Sequence, residues 1–355
     1  MKLSVCMIVK NEELTLRRIL SQIVSFADEI IIVDTGSVDS TKSIAFEYTD
    51  KVYDFKWVDD FSLARNFAFD KAVGDYLMWL DADDYIDNDV CDKINELKHN
   101  LTIDCVMCPY AVSFEGDKII YWYYRERIMK NCPLARFEGF IHEAVAPFGN
   151  VVYNNNIVIK HKKEKPTEKG RNLKIFENAL KNGKILDARL TYYYGRELFY
   201  NDCYEDAFKV LNDFISMKGL IVNLVDACMI LSDLSCRLKN GLKEYYLFKA
   251  LCYSVPTSEL ACKIGHLFFD KGDFETAIFW YETALRLGEN AEKGAFIDLT
   301  FSDYVPNIQL CVCYYKLGDV VKSIKHNNRA LKAMPKSDIA KQNKKFLKLF
   351  KESKK

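Results

Sequence analysis

The sequence lacks an apolar run of membrane-spanning length, lacks a surplus of charge of either sign, and lacks a cysteine spacing that spells out a zinc site or a secreted disulfide framework. Lys plus Arg and Asp plus Glu number 50 each, so bulk charge gives no attraction to nucleic acid or to an anionic membrane. The opening MKLSVCMIVKNEE meets charge too soon for a signal peptide. Most of the twelve cysteines sit in apolar surroundings such as SVCMIV, DACMIL and LCVCYY, where Cys acts as a small core residue. These absences predict a soluble chain in the reducing cytoplasm, without an integral membrane segment. What is present is ample: 355 residues, 49% hydrophobic and 14% aromatic, enough for two domains with cores of their own. The basic tail KQNKKFLKLFKESKK predicts a solvated helix end.

Two rhythms divide the chain. Up to about residue 165, apolar runs of strand length recur: LSVCMIV (3–9), EIIIVD (29–34), KVYDF (51–55) and DYLMWLD (75–81). Residues 12–25, 40–48 and 62–72 between them carry helical spacing, with Asn11, Asp39 or Ser40, and Ser62 as expected N-caps. This alternation predicts an α/β domain over residues 1–165, a parallel sheet wound by helices, with ligands beyond the carboxyl ends of the strands. After the charged stretch KHKKEKPTEKGRN (160–172) the pattern is helical alone, over residues 166–355. LFFDKGDFETAIFWYETALRLGE (267–289) and CYYKLGDVVKSIKHNNRALKAMP (313–335) read as copies, each with a Gly-Asp turn and a later Ala-Leu. YYYGRELFYNDCYEDAFKVLNDFI (192–215) is a looser copy, and 220–256 predicts another. They resemble tetratricopeptide repeats, whose helix pairs stack because one pair cannot bury its apolar face alone. Trp280, Tyr281, Tyr314 and Tyr315 are then packing residues between helices, and the concave face of the stack suits a polypeptide.

The segment YLMWLDADDYID (76–87) runs a buried-strand pattern into Asp81, Asp83, Asp84 and Asp87. In an extended segment residues two apart share a face, so Asp81 and Asp83 are expected to aim both carboxylates at one spot. Carboxylates that close repel, and a hard divalent cation relieves them, taking few protein oxygens and completing its shell with water and phosphates. The plain alternative is a turn capping a helix near 89–98. VDTGSVDST (33–41) sets Asp34 at a strand tip and Asp39 before a helix, placed to accept hydrogen bonds from a nucleoside; a turn and a cap would use them too. FSLARNFAFDKAVGDY (61–76) opens a helix with Arg65 near its start, where a guanidinium can meet a base edge or a diphosphate.

Taken in order, SVCMIVKNEE, IIIVDTGSVDST, DDFSLARNFAFDKAVGDYLMWLDADD, RFEGFIHEAV and VIKHKK resemble the family-2 glycosyltransferases of the GT-A, nucleotide-sugar-binding type, over nearly all of residues 3–163. Within that family the chain is similar to enzymes with helical repeats after the catalytic domain, including the sublancin-type bacteriocin S-glycosyltransferases; IDCVMCPY (103–110) and YYYGRELFYNDCYEDAFKVL (192–211) share in the likeness.

The resemblance implies roles for particular residues. Asp34 and Asp39 hold the uridine portion, Arg65 lies against the base or diphosphate, and Asp81 is on the ribose and beside the metal. Asp83 ligates Mn²⁺ or Mg²⁺, and His161 in VIKHKK is a second ligand, its alternative being a strand-end surface histidine. Arg127 and Lys130 in RERIMK form a basic pair for phosphate, or are solvated surface. Glu143 in FEGFIHEAV is the general base, with Asp84 its rival, and His142 orients it or touches phosphate. A salt bridge to Arg136 is the structural alternative for Glu143. The expected function is an inverting, metal-dependent transfer of a hexose or N-acetylhexosamine from a UDP-sugar to a polypeptide side chain, of a bacteriocin-like peptide or another protein, bound partly by the repeats. The competing readings are transfer in cell-surface glycan assembly and a non-catalytic repeat scaffold. A homodimer is compatible with a repeat stack.

Overall fold

A computed structural model describes residues 1–99, 102–162, 164, 168–289 and 294–353. The chain divides into two compact units, one of Met1–Ser113 with Trp122–Leu186, the other of Phe114–Tyr121 with Asp187–Lys355. The division expected at 165/166 falls on residues outside the described ones, and the helix Arg171–Lys181 groups with the first unit.

In the first unit β1 (Leu3–Val9), α1 (Leu16–Ile23), β2 (Glu29–Asp34), α2 (Thr41–Phe46), β3 (Val52–Asp54), α3 (Phe61–Asp70) and β4 (Tyr76–Trp79) alternate as the sequence predicts. Strands β3, β2, β1 and β4 lie side by side and parallel. Then come β5 (Asp84–Tyr85), α4 (Asn88–His99), β6 (Cys105–Glu115), β7 (Lys118–Lys130), β8 (Phe137–Glu138), β9 (Ala144–Val145), β10 (Val151–Tyr153), β11 (Ile159–His161) and α5 (Arg171–Lys181). Beyond β4 the sheet is mixed rather than parallel: β7 pairs antiparallel with β4, β6 and β11 follow, and β5 closes the row antiparallel to β11. The tight turn at 116–117 sets this, because a strand reached without a crossover can return only antiparallel.

The continuous apolar runs are two-sided strands. Val5, Met7, Ile30, Ile32 and Met78 pack on one face with Leu16, Ile19, Leu20 and Ile23 of α1. Cys6, Ile31, Val33, Leu77 and Trp79 pack on the other with Ala68 and Phe69 of α3. Alternate residues thus feed opposite layers, and a period of two is hidden inside an unbroken hydrophobic stretch. Asp60 rather than Ser62 caps α3, accepting from the Leu63 N–H at 3.1 Å and from the Ser62 hydroxyl at 2.7 Å. The Cys105-x-x-Cys108 spacing lies on β6, where residues three apart face opposite ways, and both are free buried thiols.

The second unit is helical: α6 (Ala188–Tyr200), α7 (Tyr204–Ile215), α8 (Ile221–Leu238), α9 (Lys243–Ala250), α10 (Ser258–Asp270), α11 (Phe274–Leu287), the short β12 (Ile297–Asp298), α12 (Tyr304–Lys316), α13 (Val320–Ala333) and α14 (Asp338–Ser353). The helices pack in sequential pairs, including α8 with α9 from the 220–256 segment read as a further repeat. The Gly-Asp turns work as read: Asp273 and Asp319 accept from the Thr276 and Lys322 N–H groups at 3.0 and 2.9 Å, capping α11 and α13. Gly265 and Gly195 serve close approach, since a Cβ on them would lie 2.9 Å from the Tyr281 ring and 2.5 Å from Leu211. Tyr281 and Tyr314 are buried between helices. Among the described residues no helix is long and apolar enough to cross a membrane.

Candidate active site

At the carboxyl ends of β1, β2 and β4 the first unit opens a cleft of about 780 Å³. The segment after Trp79 does not stay extended. It turns, with the Asp84 N–H donating to the Asp81 carbonyl at 3.1 Å and the Asp81 N–H to the Asp84 carboxylate at 3.0 Å. The two carboxylates expected to share one spot go to different partners. Asp81 meets the Arg65 guanidinium at 2.7 Å. Asp83 lies 3.3 Å from the His161 ring.

Sheet register brings His161 here: it is the cross-strand partner of Asp84 on the β5–β11 pair. Asp84 is fully buried, 3.3 Å from Arg127 and accepting from the Tyr110 hydroxyl at 2.9 Å. The same hydroxyl is 2.7 Å from Nδ1 of His161. One ligand atom from each of Asp83, Asp84 and His161 falls within 4.8 Å of the others, a spacing that could hold a metal ion; Asp81 is not in that group. Burial opposes charge on His161, but hydrogen bonds and attraction from Asp83 and Asp84 outweigh it, and the imidazole pKa is pushed up to about 9.

Arg65 sits on α3 beneath the cleft with Nε donating to Glu143 at 2.6 Å and the guanidinium 4.5 Å over the Trp79 ring. Burial would weaken its charge, yet Asp81 and Glu143 hold it firmly protonated. Burial likewise raises the Asp81 carboxyl, and Arg65 with Arg127 overrides that, holding it well below the usual carboxylate range. The β8–β9 loop that carries His142 and Glu143 is fixed to α3. The Asn66 side chain donates to the Phe137 carbonyl at 3.0 Å and accepts from its N–H at 2.9 Å, and the Phe61 N–H donates to the Phe140 carbonyl at 2.8 Å. Arg136 is paired with Asp70, so the partner of Glu143 is Arg65.

Of the residues singled out in the sequence, Arg65, Asp81, Asp83, His142, Glu143 and His161 line the cleft. The others lie elsewhere. Asp34 accepts from the Gly36 and Ser37 N–H groups of its own turn at 3.2 and 3.0 Å, and Asp39 from the Thr41 N–H at 3.0 Å. Arg127 is wholly buried under Trp79 and Tyr110, a counter-ion to Asp84. Lys130 is exposed beside Asp104. Residues three apart on a strand face opposite ways, which separates Arg127 from Lys130; the basic residue that shares a face with Arg127 is Arg125, and it lines the cleft. Sequence reasoning also missed Tyr110, Trp57 and the α5 residues Arg171 and Asn172, which line the same cleft. Strand alternation in RERIMK would have found Arg125; nothing local marked the rest.

Residues 4–161, which carry every one of these cleft elements except α5, match the family model described as Glycosyl transferase family 2. The first unit contains a family-2 glycosyltransferase domain. The transferase domain is followed by the tetratricopeptide-like helical unit. The chain is 36% identical over 145 residues to a TPR repeat-containing protein of Synechococcus elongatus, covering 41% of this chain and 35% of that one. It is 28% identical over 228 residues to the SPbeta prophage-derived glycosyltransferase SunS of Bacillus subtilis, covering 59% and 52%. It thus spans about half or less of the length of these two relatives. Among solved structures, S. aureus TarS aligns with a TM-score of 0.42 at 13% identity, covering 70% of this chain and 54% of that one.

Proposed function

We propose that the chain is an inverting, divalent-metal-dependent glycosyltransferase of the cytoplasm that moves a hexose or N-acetylhexosamine from a UDP-sugar to a polypeptide side chain. The observation that carries this reading is the convergence in one cleft of the Asp83, Asp84 and His161 donors with the Arg65–Glu143 pair. Two carboxylates and an imidazole are a donor set that suits Mn²⁺, and Mg²⁺ through its oxygens. Asp83 and His161 are the ligands, with Asp84 behind them. A cation held there supplies positive charge to the leaving diphosphate.

The remaining work falls to protein side chains. Arg125, lining the cleft, and Arg65, whose buried Nη1 has no hydrogen-bond partner among the described residues, offer positive charge to the donor's phosphates. Glu143 takes the acceptor proton. It uses one carboxylate oxygen on Arg65 and lines the cleft, whereas Asp84 is sealed from it, so the geometry favours Glu143 over Asp84 as base. One base acting in a single in-line displacement gives inversion at the anomeric carbon. Asp34 and Asp39 shape the loop after β2, on which Thr35 lines the cleft. The repeat unit binds part of the polypeptide; likeness to SunS and to a TPR repeat-containing protein supports that choice of acceptor.

The test is intact-mass analysis of candidate peptides incubated with a panel of UDP-sugars, with and without Mn²⁺. A hexose or N-acetylhexosamine increment that needs the metal, and that Asp83→Ala removes, is the expected result. Metal-independent transfer, or full transfer by Asp83→Ala, refutes the metal role.

A further inference from the structure

The repeat unit holds a second, much smaller cavity of about 70 Å³, lined by α8, the start of α10 and the segment around β12. Its walls combine apolar Val225, Met229 and Phe296 with the carboxylates of Asp226, Glu259 and Asp298. Asn223, only 6% exposed, also lines it, and its carboxamide has no hydrogen-bond partner among the described residues. A carboxamide held in a buried residue at the cavity wall with no protein partner among the described residues has its hydrogen-bonding groups left for an occupant, and this observation is independent of the acids.

The neighbouring cations cancel part of the charge inside, not all of it. Arg196 is paired with Asp226 at 3.3 Å, and Lys263 is engaged by Asp233 at 2.8 Å, reaching Glu259 only at 4.0 Å. Burial, with Asp226 and Asp298 nearby, pushes the Glu259 carboxyl up to about 7, against the opposing pull of Lys263. These carboxylates do not converge as metal ligands do: among the described residues the group with metal-binding spacing is Asp83, Asp84 and His161. Acids spread around an apolar-walled cavity match a larger cation with several N–H donors on a methylene stem.

We propose that this cavity receives one cationic side chain, lysine or arginine, of the polypeptide acceptor, with its stem against Met229 and Phe296 and its head among Asp226, Glu259, Asp298 and the Asn223 carbonyl. The inference rests on the polypeptide-acceptor reading and adds to it a requirement for a basic residue at a fixed place in the acceptor. The cavity is too small for a nucleotide and suits the head of a single side chain.

The test is fluorescence anisotropy of the full chain with fluorescein-labelled tetralysine and with the same peptide acetylated on every Nζ. Tetralysine is expected to bind at least about tenfold more tightly than the acetylated form. Glu259→Gln should weaken tetralysine several-fold, while Glu205→Gln, an exposed charge on α7, leaves it unchanged. Ser254→Tyr, at a half-buried position in the lining, should block binding without removing a charge, and serves if Glu259→Gln does not fold. No binding, equal binding of the acetylated peptide, or indifference to both variants overturns the inference. None of these readouts needs sugar transfer, so a chain that binds tetralysine in this way yet glycosylates no peptide supports the cavity and counts against the activity reading alone.

Discussion

Replacing each candidate base by its amide separates the roles of Glu143 and Asp84, because their surroundings make opposite demands. Glu143 faces the cleft and spends one oxygen on Arg65 at 2.6 Å. Glu143→Gln keeps an oxygen for that hydrogen bond while removing the proton acceptor. The fold should therefore lose only about 1–2 kcal/mol, and turnover should fall about 10²–10⁴-fold, which is about 3–5 kcal/mol in the barrier. Asp84 and Arg127 are both fully buried and 3.3 Å apart. Asp84→Asn leaves a guanidinium without its counter-charge, and removing one partner of such a pair costs about 3–5 kcal/mol of stability. Urea unfolding gives the two stabilities, and UDP release together with product mass gives the two rates. The expected pattern is a stable, slow Glu143→Gln and an unstable Asp84→Asn. If Glu143→Gln kept more than about a third of the rate, well short of the loss a general base produces, the assignment of the base would fail. If Asp84→Asn folded normally yet transferred nothing, Asp84 would take its place.

Other outcomes follow from the same geometry. Mn²⁺ at about 100 times its dissociation constant should stabilise the native chain by about 2.7 kcal/mol, and Asp83→Ala should erase that thermal shift while leaving the metal-free melting point nearly unchanged; an equal shift in the variant would exclude Asp83 as a ligand. His326 is 7% exposed, donates from Nδ1 to the Asn307 side-chain oxygen at 2.9 Å and stacks on Tyr314, and burial first, with Arg329, Lys325 and Lys322, lowers its pKa to about 4. A histidine kept neutral in the fold contributes stability fully above its unfolded pKa of about 6.5 and loses it as pH falls through about 4, here up to about 3 kcal/mol of the repeat unit. Denaturant midpoints measured across that window should fall in the native chain and stay flatter in His326→Gln; parallel slopes would contradict the assignment. Gly265→Ala places a methyl 2.9 Å from the buried Tyr281 ring, so about 1–3 kcal/mol should be lost, read as a lower melting temperature, and restored in part by Tyr281→Phe only if the hydroxyl is what prevents the ring from moving.

Much of this molecule is written locally. The periods of two and 3.6 that lay down β1 to β4 and α1 to α3, the Gly-Asp turns at 272–273 and 318–319, and the position of acids at strand ends all depend on near neighbours, and local sterics and burial decide them. The acids near position 80 were legible as a site for the same reason, since buried-strand residues running into carboxylates need an explanation within a few positions.

Partnership was not legible. DADD could be read as extended, which would unite Asp81 with Asp83; the turn closed by the Asp84 carboxylate sends one to Arg65 and the other to His161. That choice depends on β11 arriving beside β5 from more than seventy residues away, on β7 bringing Arg127 under Trp79, and on the β8–β9 loop setting Glu143 against α3. A carboxylate's role is set by the charges and hydrogen-bond donors that surround it, and those are contributed by strands whose order no local pattern encodes. Sequence by itself determined the elements, the repeat and the likeness in its motifs; tertiary structure alone decided which acid is a buried counter-ion, which clusters with His161 and which faces the cleft from Arg65.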